Sequence, residues 1–445
     1  MDRGAFLTNS TFASETQPTA RQSANRILKN AGALMSGKAL GGVLSLAYLA
    51  IAARSLGPTE MGFLVLAHAY AMVVAGVARF QSWQAVIRFG APMIETGDLP
   101  AFKSLLRYTV RLDLLSAALS VAVALLFVGP VAQQLDWPPA AMPWVYAYCA
   151  TVPFLVSATP TGVLRLFDRF KMLGWQLSIL PVVRFVGSIA LWVMGAELSG
   201  FLIVWILSAV LDGGSLWILA WRELGKRGLM PPLKSEPAMK PDRDWLPFII
   251  KTNLSSTVDL ARTNLPVLIV GAILGSAASG FLQLAANASN LIAHPATMLY
   301  QATFPELSRI IAAGKDKRMR KVALRSTLTG VLVAAPIVLL FALLREPLAK
   351  ILGGPEFLPA APLIALMALA QLVRVGSVVL EAAVVSAGGA GYVLFGQSVS
   401  AFLTFAALFL ALPAFGVNAA PTAIICGWAL LVAFYVIGLY RPRTV

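Results

Sequence analysis

Apolar positions in this chain gather into long unbroken runs instead of the alternating or every-third-residue patterns of a soluble domain. The runs lie near 31–53, 61–85, 112–134, 143–163, 175–195, 200–221, 247–274, 280–303, 327–344, 360–387, 391–412 and 418–440. A run of about 20 residues at 1.5 Å per residue crosses roughly 30 Å of hydrocarbon as a helix. A membrane β-barrel would show ~10-residue segments of alternating character, and the sequence has none. The pattern predicts an all-α polytopic membrane protein with 12 transmembrane helices.

One segment occurs twice. LGPTEMGFLVLA (56–67) returns as LGSAASGFLQLA (274–285), with 7 of 12 positions identical. Each copy ends one apolar run, makes a tight turn and opens the next. A second pair of anchors, PPAAMP (138–143) and LPAAP (358–362), falls between the third and fourth run of each half. The basic, proline-containing segment 222–246 separates the runs six and six. This predicts two six-helix bundles, 26–221 and 247–440, joined by a cytoplasmic linker at 222–246 and related by an internal pseudo-two-fold repeat. Six spans per half leave both copies in the same orientation, related by an axis along the membrane normal, with a cleft between them. Residues 1–25 read as a disordered cytoplasmic tail, with no signal peptide, and 441–445 as a second short tail.

Composition agrees: 58% of residues are hydrophobic and only 12% charged. The net charge of +15 could suggest nucleic acid, but its placement argues otherwise. With the N-terminus inside, the inner loops and tails hold 26 of the 35 Lys and Arg residues, whereas the outer loops hold three, Arg54, Arg345 and Lys350. The positive-inside rule then places both termini in the cytoplasm. Segment 305–325 reads as an amphipathic helix on anionic headgroups, so the basic charge serves the membrane surface and not nucleic acid.

Several tempting motifs carry no chemistry. GALMSGKA (32–39) begins like a phosphate-binding loop, but Ala39 replaces the Ser/Thr that would hold magnesium, and the segment is helical. Its Gly37 and Gly41 instead suit close helix packing. Cys149 and Cys426 lie in apolar runs and read as buried free thiols. His68 and His294 are lone residues within the membrane and read as packing groups. Asn253 and Asn287 open glycosylation-like triplets, but they do so inside membrane segments. No metal, cofactor or catalytic constellation is implied.

Charges at membrane depth are costly unless they face protein or water, so each is a functional candidate. The cations are Lys38, Arg79, Arg184, Lys251, Arg262 and Arg374; the anions are Asp212, Asp259 and Glu381, with Asp113 at the edge of its span. The excess of cations suggests a cavity for an anionic substrate. Lys38, Arg79, Arg262 and Arg374 are the candidate substrate-binding residues, and Asp259, Asp212 and Glu381 the candidates for ion coupling. Lys251 lies near a span end and can snorkel. Asp259 with Arg262, and Arg374 with Glu381, share helix faces and could instead be neutralising pairs.

Within this layout, Arg54, Leu56-Gly57-Pro58, Gly62 and Ala67, FPELSR (304–309) and GGPEFLPAAPLIALMALAQLVR (353–374) together resemble the bacterial polysaccharide transporter family. These are the lipid-linked oligosaccharide flippases of the multidrug/oligosaccharidyl-lipid/polysaccharide exporter superfamily. The resemblance covers about 26–440. It implies movement of an undecaprenyl-pyrophosphate-linked oligosaccharide from the inner to the outer leaflet of the bacterial plasma membrane, for O-antigen, capsule or exopolysaccharide. It also implies a cation-lined cavity, with Lys38, Arg79 and Arg262 on comparable helices. Membrane lipids, and a polysaccharide polymerase and export machinery, are the partners expected. The competing readings are an ion-coupled multidrug exporter of the same superfamily and, less favoured because the outer loops are short, a membrane sugar polymerase or ligase.

Overall fold

The computed structural model describes residues 20–78, 82–155, 157–231, 245–292 and 316–440. The first half contains α1 (Ala20–Ala78), α2 (Ser82–Glu95), α3 (Leu99–Gln134), α4 (Met142–Cys149), α5 (Val152–Leu155), α6 (Ala158–Leu166), α7 (Phe170–Gln176), α8 (Ile179–Met194) and α9 (Leu198–Lys226). The second contains α10 (Trp245–Leu274), α11 (276–292), α12 (Asp316–Leu343), α13 (Arg345–Gly353), α14 (Ala361–Ser386), α15 (Ala390–Phe415) and α16 (Ala419–Tyr440).

Eight described stretches are long and apolar enough to cross a membrane, and the bent α4–α6 unit makes a ninth. Two of the eight are double. Gly37–Gly76 runs 40 residues, about 60 Å if straight, but folds at Gly57; Ala390–Tyr440 contains both α15 and α16. Counting both parts of each double stretch and α11, the described residues supply twelve helices, in two six-helix bundles.

The repeated segment sets the first bend of each half. Gly57 has φ 71° and Gly275, its repeat partner, φ 87°. Glycine enters this left-handed region without the steric cost of a Cβ. Pro58 then lacks the N–H that a continuous helix would need there. PPAAMP and LPAAP also share an address: each overlaps a short 3₁₀ turn, Pro139–Ala141 and Pro355–Ala360, that leads into the next helix.

Three expectations change. The helix that carries the third run begins at Leu99, ahead of the apolar stretch at 112, and with α2 it makes most of the interval 86–111 between the second and third runs helical. The fourth span, read as one run over 143–163, is broken between α4 and α6. Buried Asp113 on α3 supports that break, accepting from Ser82 Oγ (2.6 Å) and from the Thr159 backbone N–H (2.8 Å) at the start of α6. A carboxylate there satisfies a helix N-terminus and suits its dipole. Finally, Cys149 is buried but Cys426 is exposed on α16, because a lipid-facing position is as apolar as a packed one. The same holds for Val193, Phe402 and Leu410, all at least 71% exposed.

The main core lies where α1 packs against α10 and α11, so the two halves share it. At the end of the molecule bearing the Gly57 and Gly275 bends, hereafter the turn end, the halves meet through their backbones. A Cβ on Gly62 would strike the Ser276 carbonyl, and one on Gly280 would lie 2.7 Å from the Pro58 oxygen. Arg54 adds hydrogen bonds to the carbonyls of Ile351 (2.6 Å) and Lys350 (3.3 Å) in the last turn of α13. A cation at a helix C-terminus meets unsatisfied carbonyls and the negative end of the dipole.

Candidate transport site

Three membrane charges of the second half, Asp259, Arg262 and Arg374, line one cavity. It has a volume of about 120 Å³, and its wall includes Asp259, Arg262, Asn290, Gln371, Arg374 and Trp428. Asp259 and Arg262 come from α10, Asn290 from α11, Gln371 and Arg374 from α14, and Trp428 from α16. Gln371 donates to Asn290 Oδ1 (2.9 Å), tying α14 to α11.

α10 carries a proline at the cavity. Pro266 lines the cavity and cannot donate to the carbonyl four residues earlier, which belongs to Arg262. Thr263 Oγ1 bonds the Asp259 carbonyl (3.0 Å) and Asn264 Nδ2 the Leu260 carbonyl (3.0 Å). Side chains thus bond back to the carbonyls of the turn that precedes the proline.

The arginines are not neutralised as their spacing allows. Neither Asp259–Arg262 nor Arg374–Glu381 forms an ion pair among the described residues. Instead the Arg262 guanidinium lies 4.0 Å from the centre of the Trp428 ring, and that of Arg374 5.4 Å from it. Glu381, two turns beyond Arg374 on α14, accepts from Gln397 Nε2 (3.3 Å) and is not part of the cavity wall.

The remaining candidates lie elsewhere. Lys38 is exposed on α1, away from this wall. Beside it, Gly37 packs directly on the backbone of Gly174, and Gly41 would place a Cβ 3.4 Å from Pro181 Cγ, so the glycine spacing does serve helix packing. Asp212 belongs to the other half, where Gln176 Nε2 donates to its Oδ1 (2.9 Å). Arg184 is buried in that half's core; it bonds Ser208 Oγ (3.0 Å) and the Tyr48 hydroxyl (3.3 Å) and lies 4.5 Å over Trp205. His68 is hydrogen-bonded to the Tyr148 hydroxyl (2.6 Å), as a packing histidine should be. Arg79, His294, 304–309 and most of the 222–246 linker lie outside the described residues, as does the side chain of Lys251.

Sequence reading missed Trp428 and the Gln371–Asn290 pair. Nothing in the order of residues marks one tryptophan of an apolar run as the neighbour of an arginine 166 positions earlier.

Residues 27–311 match the family described as polysaccharide biosynthesis protein, and 259–409 match MatE. The chain belongs to the polysaccharide biosynthesis protein family. This family member is 27% identical to "Inner membrane protein YghQ" of Escherichia coli (strain K12), over 76% of this chain and 95% of that protein. Its fold matches an inward-facing multidrug resistance MATE family transporter of the MOP superfamily, with TM-score 0.66 and 13% identity over 91% of this chain and 93% of the other. It also matches lipid II flippase MurJ in an inward closed conformation, with TM-score 0.68 and 12% identity over 91% and 87%. The polysaccharide biosynthesis family member described here is thus a multi-pass membrane protein with the fold of the MOP transporters and flippases.

Proposed function

We propose that this protein is a flippase that carries an undecaprenyl-pyrophosphate-linked oligosaccharide from the cytoplasmic to the periplasmic leaflet of the bacterial inner membrane. The observation that carries this reading is the pair of arginines, Arg262 and Arg374, held at a cavity wall without ion pairing to their neighbouring carboxylates. A pyrophosphate cannot cross hydrocarbon unaided, since burying an isolated charge costs tens of kcal/mol by a Born estimate. Fixed guanidiniums replace its water with bidentate hydrogen bonds. No bond is made or broken, so no catalytic residue is needed. Lys38, exposed on α1, and Arg79 serve as further contacts on the path of the head group.

In this reading both termini are cytoplasmic, the bundles divide at 222–246, and the turn end faces the periplasm. The backbone contacts of Gly62 and Gly280 and the Arg54 hydrogen bonds close that end. Release to the periplasm requires the halves to part there, with α10 bending near Pro266. Asp259 and Glu381 are the candidates for ion coupling beside the arginines; Asp212 is a candidate in the other half.

A second reading, an ion-coupled multidrug exporter, is favoured by Asp259, an exposed carboxylate in the same cavity wall. Proteoliposomes holding a fluorescent undecaprenyl-pyrophosphate oligosaccharide in one arm and ethidium in another separate the two. The flippase reading expects oligosaccharide movement in the first arm, lost in Arg262→Ala, and none in the second. Ethidium transport without oligosaccharide movement would reverse the assignment. Repeating the first arm with and without a sodium or proton gradient tests the coupling role of Asp259.

A further inference from the structure

Arg262 lies one helical turn from Asp259, a spacing at which the two side chains can pair. A guanidinium spent on its own carboxylate has little left for a ligand. The structure keeps the two apart: Arg262 lies 4.0 Å from the Trp428 ring centre, with no ion pair to Asp259. Arg374 approaches the same ring to 5.4 Å. Its carboxylate neighbour along α14, Glu381, accepts instead from Gln397.

We propose that Trp428 is a positioning residue that gathers Arg262 and Arg374 over one aromatic ring and keeps both free to bind the two phosphates of a prenyl pyrophosphate. The proposal rests on the flippase reading above. An indole attracts a cation through its negative ring face, by about 2 kcal/mol when desolvated. It does so without accepting the guanidinium's N–H donors in the plane, which stay available to oxygen. Two cations gathered near one ring repel each other, and an anion with two charged groups relieves that repulsion. A diphosphate meets this description better than a single carboxylate. The volume fits as well: about 120 Å³ is small beside the ~300–1,000 Å³ of pockets that enclose whole drug-sized ligands. The cavity therefore takes the pyrophosphate alone, and the sugars and prenyl chain lie outside it.

The test uses the full-length purified protein and geranyl pyrophosphate as the probe, with affinity read by calorimetry. Wild type binds, Trp428→Phe keeps affinity within about threefold, and Trp428→Leu loses about tenfold, the equivalent of roughly 1.4 kcal/mol of cation–π attraction. Because leucine could unfold the helix packing, a second series replaces Trp428 alone with fluorinated tryptophans of nearly unchanged shape. Affinity should fall stepwise as fluorine withdraws charge from the ring face, while the melting temperature stays constant. Wild type that fails to bind geranyl pyrophosphate overturns the flippase reading, and this proposal with it. Wild type that binds, with a flat response to fluorination, overturns the role of Trp428 and leaves the flippase reading standing.

Discussion

Arg184 and Arg262 both occupy apolar helices, in opposite halves, and they are held in different ways. Arg184 is 3% exposed, and its guanidinium is engaged by Ser208, Tyr48 and the Trp205 ring. Arg262 is partly buried at a cavity wall and touches an aromatic face. The first arrangement is structural; the second leaves donors for a ligand. Arg184→Lys should therefore lower the thermal midpoint, because a single ammonium cannot reproduce a planar fork with two bonds and a stacking face; the loss is about 2 kcal/mol, and thermal unfolding of the purified protein checks it. Normal stability in that variant would show that the network is dispensable. Lys38→Ala and Arg262→Ala should instead leave the protein inserted and folded while abolishing surface polysaccharide. Normal polysaccharide in both would remove these two residues from the site. Residue type and spacing marked Arg262 and Arg374 as candidates. What each would touch was not legible, because their partner Trp428 belongs to a distant helix.

At the scale of single elements, the membrane helices follow from their apolar runs, while their breaks follow from a few residues. Gly57 was readable in the sequence as a turn, because its segment recurs around Gly275. Gly57→Ala should cost about 1–2 kcal/mol from the left-handed backbone alone. Gly129→Ala in α3, with open space around it and no positive φ, should be neutral or slightly stabilising. Comparing the two thermal midpoints checks that conformation and not helix propensity is the cause. The break between α4 and α6 was not legible, since the residue that supports it lies on another helix. Asp113→Ala removes the acceptor of the Thr159 N–H and the Ser82 hydroxyl, and should cost about 1–3 kcal/mol. Hydrogen exchange should then rise first in 158–166. Uniform exchange across the bundle would show that Asp113 does not secure α6 locally.

For the molecule as a whole, the duplication supplies two halves and the glycines it carries bring them together. Gly62 and Gly280 occupy equivalent repeat positions, and each leaves room for the other half's backbone. A side chain at either position keeps the turn end apart. Gly280→Leu in a cysteine-free background should sharply raise the labelling of Ser276→Cys by a membrane-impermeant thiol reagent, and should abolish transport. Unchanged labelling would mean that this seam does not gate access. Arg54→Ala removes only two hydrogen bonds, so its effect should be in the same direction but smaller. The sequence by itself determined the twelve spans, the six-and-six division and the first bend of each half. Hydrocarbon thickness fixes the length of an apolar run, and a repeated turn needs the same glycine twice. Tertiary structure alone decided which charges meet, which cysteine faces outward and where the fourth span breaks. In a bilayer the lipid-facing and packed surfaces are equally apolar, so hydrophobic pattern cannot rank the faces of a helix, and contact between Arg262 and Trp428 exists only once α10 and α16 are side by side.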